Sequence, residues 1–237
     1  MGLNILRILL LLIFIPFLLS AADTFSAEVY KQDTDPPLLL YYQYNDYEIQ
    51  GETEVLSHYY LLPDSSEAVT EKAFLRDGKL WKYNSNFYVT DEFSEIIVSD
   101  DEISISYTNN GKTKSKTFPF NDKLLVGPLF VEYLVSKWDE LITGETVKFR
   151  LPASDLLTTA GFYLKKIENS PYEKPGTVVI KMGVSSIFLK LLIKSSYFVM
   201  DIDTKKVQEI HGLSILPHQD NGEWKKTTNV NIYYKYK

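Results

Sequence analysis

GPLFVEYLVSKWDELITG, residues 127–144, is the stretch whose reading decides the fold. Pro128 stands at the first helical position and Gly144 just past the end, the usual punctuation of a helix. Phe130, Leu134, Trp138 and Leu141 follow one another at helical spacing and form a single apolar stripe, with Glu132, Ser136, Asp139 and Glu140 largely off it. The spacing predicts one amphipathic helix of about four turns over residues 128–143.

On both sides of this helix the pattern is that of strands, rich in Tyr, Val, Ile, Phe and Thr. Residues 38–49 and 53–62 flank Gln50-Gly51-Glu52, and residues 67–76 and 79–83 flank Asp77-Gly78. Residues 102–108 and 112–118 flank Asn109-Asn110-Gly111, and residues 197–202 and 205–210 surround Asp203-Thr204, so four hairpins are predicted. Ile103, Ile105 and Tyr107 alternate with Ser104, Ser106 and Thr108, one face for a core and one for water. Beyond the helix, strands are expected at 145–151, 161–167, 177–182, 197–202, 205–210 and 229–236, while 185–196 reads equally as strand or short helix. About ten to twelve strands and one helix, without βαβ alternation, exclude a doubly wound parallel sheet. The predicted fold is mainly β, a large curved antiparallel sheet (half-barrel or barrel-like) with the helix packed on its concave side. Residues 38–237 are read as a single β-rich domain, and residues 23–37, which end in Pro36-Pro37, as an extended lead-in with an edge strand at most.

The first residues have another logic. Arg7, an apolar run over residues 8–19 and the small Ser20-Ala21-Ala22 make a secretory signal over residues 1–22, cleaved before Asp23. The run falls short of the about twenty residues that a spanning helix needs, so the mature form is expected not to span a membrane. A periplasm is the first expectation, with full secretion also open. The chain has no cysteine, which excludes disulfide scaffolds, thiol enzymes and cysteine-held metals. Its formal charge of −6 speaks against a nucleic-acid partner.

The search for chemistry finds little. His211 and His218 lie near Asp220, but Gly212 and Pro217 break the segment between them and define no ligand geometry. Asp100-Asp101-Glu102, Asp139-Glu140 and the pair Asp201 and Asp203 read as solvated turn or helix-surface acids. No phosphate-cradling loop, dinucleotide fingerprint or nucleophile elbow occurs, so no cofactor, metal or catalytic residue is assigned. The tyrosines at 41, 42, 44, 47, 59, 60, 233, 234 and 236 serve either cross-strand pairing or an amphipathic surface.

The residues Gly127-Pro128-Leu129, Trp138-Asp139-Glu140-Leu141 and Gly144-Glu145-Thr146-Val147-Lys148-Phe149-Arg150 resemble a group of uncharacterised exported proteins of Gram-negative bacteria. In that group a helix ending in a W-D-x-L-like motif precedes a G-E-x-x-x-F-R strand. Ser185-Ser186, Leu189, residues 201–204 and Gly212-Leu213-Ser214 are similar to its later signature. The resemblance implies an exported domain with no assigned chemistry. More remotely, strands followed by a crossing helix and more strands are similar to the half-barrel of periplasmic lipoprotein carriers, which implies an apolar groove under a helix; this chain lacks the cysteine of the lipid-anchored members.

Three functions are therefore expected, in descending order. The first is a non-enzymatic envelope protein that holds a lipid or other apolar ligand in a groove lined by Phe130, Leu134, Trp138 and Leu141. The second is a structural or assembly protein contacting another envelope protein. A hydrolase comes third, to be sought around His211, His218, Asp201 and Asp203.

Overall fold

In the computed structural model, residues 24–120, 122–186, 193–226 and 228–236 are described. The signal expected at 1–22 and residues 187–192 of the ambiguous segment at 185–196 fall outside them. Fourteen strands form one sheet in which every pairing is antiparallel. Its first half is a meander of β1 (Phe25–Lys31), β2 (Leu38–Gln50), β3 (Thr53–Leu61), β4 (Glu67–Arg76), β5 (Lys79–Phe87), β6 (Glu92–Val98), β7 (Glu102–Asn109) and β8 (Lys112–Pro119). Its second half contains β9 (Val147–Ala153), β10 (Thr158–Ile167), β11 (Thr177–Val184), β12 (Ser196–Asp201) and β13 (Val207–Ser214). The small hairpin β14 (His218–Asp220) and β15 (Glu223–Lys225) stands apart, and β16 (Thr228–Tyr236) ends the chain.

The halves join where β1 pairs with β16, which leaves β8 and β9 as the two edges of an unclosed, barrel-like sheet. The chain passes from one edge to the other, and in doing so it covers part of β9. Leu124 makes a parallel bridge to Arg150, whose N–H donates to Lys123 O at 2.8 Å and whose carbonyl accepts from Leu125 N–H at 2.9 Å. Exposed edge backbone is a liability, and this segment satisfies some of it.

The mainly β, curved antiparallel fold with a helical element is thus as expected, but two elements differ. Residues 23–37 are no lead-in: β1 lies between β2 and β16 and buries Phe25, Ala27 and Val29. Its alternation is only three buried positions long, and polar Ser26 and Glu28 between them masked it. The helix is in two pieces, α1 (Phe130–Ser136) and α2 (Trp138–Ile142), preceded by a 3₁₀ turn over Gly127–Leu129. Lys137 departs from helical geometry at φ −103°, ψ 12°. Ser136 Oγ donates to Tyr133 O at 2.8 Å and shares that carbonyl with the Lys137 N–H at 3.1 Å, a back-bond of the kind that bends helices.

Side chains on the concave face fall into levels. Leu56, Ala73, Tyr83, Ile96 and Ile105 form one cross-strand row, largely apolar, near the helical end of the sheet. The next row is polar throughout: Asn45, His58, Glu71, Ser85, Ser94 and Tyr107. On the convex face Lys72, Asn84, Glu95, Ser106 and Ser115 form a polar cross-strand row, and Phe93 and Ile97 are exposed beside it. No helix among the described residues is long and apolar enough to cross a membrane.

Candidate functional site

The helical stripe comes together as the spacing required, but it fills space rather than lining it. Leu134, Trp138 and Leu141 are buried against Val147, Phe149, Leu164, Ile180 and Met200, and Phe130 packs against the same cluster. Phe130 stacks on Phe198 with ring centroids 5.0 Å apart and meets Phe149 edge-on at 5.9 Å. Complete burial of a leucine stabilises by roughly 1.5–3 kcal/mol, and the C-terminal half of the sheet repays its curvature by closing on this stripe. None of the four expected lining residues borders the cavity described next. Interiors close-pack by default, and here the stripe found a complementary surface.

The cavity lies on the other face of α1. It has a volume of about 420 Å³, and Val131 and Val135 of the helix oppose Leu56, Leu75 and Phe25 of the sheet. Its lining carries charge of both signs, from Asp46, Glu54 and Glu132 and from Lys205 and Lys206. Although Glu132 is exposed, desolvation against the groove and then the Glu54 charge hold its carboxyl above the usual range. Tyr47 OH donates to Glu54 Oε2 at 3.1 Å.

His58 stands in the cavity wall, and Glu71 lies behind it. Their closest approach, Nδ1 to Oε2, is 4.0 Å, beyond a hydrogen bond. Gln43 Nε2 lies 3.4 Å from His58 Nδ1; an amide NH₂ can only donate, so Nδ1 accepts and the neutral ring carries its proton on Nε2. Burial holds the His58 pKa down to about 4, so the ring is neutral near pH 7. Glu71 instead accepts from Tyr60 OH at 3.3 Å and from Tyr83 OH. Burial raises the Glu71 pKa, and the two phenol donors pull it partly back.

Glycine 127 completes the arrangement. A Cβ at this position would come within 2.5 Å of Glu71 Oε2, so the chain can enter the helix over the carboxylate only without a side chain. A glycine at this position is thus matched to a carboxyl group on β4, distant in the chain.

The other candidates are structural. His211 Nδ1 pairs with Asn231 Oδ1 at 2.8 Å and Nε2 with Glu209 Oε2 at 3.0 Å, and Tyr172 stacks on the ring at 4.1 Å. Asp201 accepts from the backbone N–H of Asp203 and Thr204 and from the Thr204 hydroxyl, holding the β12–β13 turn. His218 lies on β14, away from both. Among the described residues no group of three or more His, Asp or Glu is placed to hold a metal ion. The tyrosines divide by strand alternation: Tyr41 and Tyr60 are buried in the interior, whereas Tyr44 and Tyr233 are exposed.

No family model matches this chain, and no curated protein matches it. Two solved structures are similar in fold at 8% identity. One is a β-barrel-like protein of the domain of unknown function DUF1849 from Brucella abortus, with a TM-score of 0.34 over 91% of this chain and 96% of the other. The second is a porin-like protein from Bacteroides uniformis, with a TM-score of 0.24 over 90% and 96%.

Proposed function

We propose that the mature chain is a non-enzymatic protein of the bacterial envelope that binds a lipid-like, amphipathic molecule in the groove between α1 and strands β2 to β4. The cavity carries this reading. Its volume of about 420 Å³ is within the range of small-molecule sites, and its wall is mainly apolar surface interrupted by polar side chains such as Asn45, Ser57 and His58. An acyl chain would lie between Val131 and Val135 on one side and Leu56 and Leu75 on the other. Its head group would meet the charged side chains of the lining, which include carboxylates and lysines. The His58–Glu71 pair gives no support to catalysis, because the ring is neutral, its Nδ1 is taken by Gln43, and the carboxylate is engaged by phenols.

Native mass spectrometry and solvent extraction of the purified mature protein test the reading, together with displacement of a fluorescent fatty acid. Val135→Trp should fill the groove and abolish displacement while the protein stays folded. A wild-type protein that carries no lipid and binds no fatty-acid probe overturns it.

A further inference from the structure

A second cavity of about 320 Å³ opens at the other end of the concave face, between strands β5 to β7 and the segments around Ala153 and Pro217. Its floor is the polar row. Ser85 and Ser94, both buried, face each other with oxygens 2.7 Å apart. Tyr83, two residues before Ser85 on β5, donates to Glu71.

One of the two serine hydroxyls donates to the other, and each oxygen has lone pairs able to accept at the cavity wall. Glu92 adds a second acceptor in the same wall. It accepts from Tyr107 OH at 2.5 Å and from Lys226 Nζ at 2.9 Å, so a cation already offsets its charge. Phe87 and Tyr107 supply flat apolar surface beside these groups.

Asp155 also lines the cavity, so hydroxyl and carboxylate acceptors stand beside aromatic faces, an arrangement that fits a ligand offering several O–H donors and apolar C–H faces. We propose that this cavity is a second binding site, for a neutral polyol of monosaccharide size. The site is separate from the α1 groove, and the two stand or fall independently.

Saturation-transfer NMR and calorimetry of the mature protein test it with glucose, galactose, mannose, ribose and myo-inositol, and with ethanolamine and putrescine as cationic donors. At least one neutral polyol should bind. Ser94→Ala should weaken it by about tenfold or more, the worth of one lost hydrogen bond. Val135→Trp, which blocks the other groove, should leave polyol binding unchanged. Three results would each overturn the proposal: no polyol bound at tens of millimolar, the amines bound in preference, or unchanged affinity in folded Ser94→Ala.

Discussion

The two halves of the sheet share one topology and treat their concave faces in opposite ways. From β9 to β13 the inner positions are Val147, Phe149, Leu164, Val178, Ile180, Phe198, Met200 and Val207, sealed by the stripe of α1 and α2. From β2 to β7 the middle of the same face carries Asn45, His58, Glu71, Ser85, Ser94 and Tyr107, with a cavity on either side. A buried polar group costs unless hydrogen-bonded, and fully paired networks specify one arrangement where an apolar core tolerates several. The difference is one of filling: the C-terminal half is closed by the helical stripe, and the N-terminal half is left with two cavities.

The sharpest way to break this division is to cut the dry side. Leu141→Ala should lose about 2–5 kcal/mol of unfolding free energy, because Leu141 is wholly buried and its neighbours belong to a sheet that cannot collapse onto the gap. Denaturant unfolding measures it. A loss below about 1 kcal/mol would mean that the helix rests on the sheet without sealing it.

The wet side should respond to protons instead. His58 has a folded pKa of about 4 against about 6.5 unfolded, so below pH 6.5 the unfolded chain takes up a proton that the native one refuses. Stability from this group is complete above about pH 6.5 and lost as pH falls toward 4, by up to about 3 kcal/mol. Glu71 acts in the other sense: with its pKa raised, the native state binds a proton first, and protonation on falling pH favours folding. His58→Asn should therefore remove the acid-side loss and expose the Glu71 gain. Thermal unfolding at a series of pH values reads this directly, and identical profiles for variant and wild type between pH 6.5 and 4 would contradict it.

Gly127→Ala joins the two regions, since it belongs to the helix entry and touches the polar row. The new methyl meets Glu71 Oε2, and overpacking of this kind costs about 1–3 kcal/mol. Gly127 does not have a positive φ, so in a Glu71→Ala background the same change should become neutral or stabilise by about 0.4–1 kcal/mol through the unfolded state. A double-mutant cycle with no coupling would show that the carboxylate is not what keeps this position glycine.

How much of this could be read beforehand follows from range. The β2–β3, β4–β5 and β7–β8 hairpins, the helix position and the stripe of Phe130, Leu134, Trp138 and Leu141 depend on neighbours within a few residues, and they were legible. The polar row was not, because each strand contributes a single member and only the register of the strands lines them up. Glu71 left a trace: with Val69, Ala73 and Leu75 it occupies the inward positions of β4, one charge on an apolar face. His211 and His218 drew attention by closeness in sequence, yet the residue beside the cavity is His58, isolated in sequence and joined to Glu71 by pairing alone. The stripe was legible as apolar, but whether a sheet fits it tightly or leaves a groove depends on side chains distant in the chain.

The smallest effect tests whether the plug itself is under strain from its own sequence. Ser136 is the residue that diverts the Tyr133 carbonyl, and α1 and α2 part at the next position. Ser136→Ala removes the competing hydroxyl and inserts a better helix former, which favours a continuous rod by a few tenths of a kcal/mol. If the break is local, the variant should gain that much stability and show slower amide exchange at Lys137, with no loss of packing at Leu134 or Leu141. If the two pieces are held apart by the sheet, joining them would pull Trp138 from its place over Leu164 and Met200, and stability would fall instead. The sign of this small change thus decides whether the helix adapts to the sheet or the sheet to the helix.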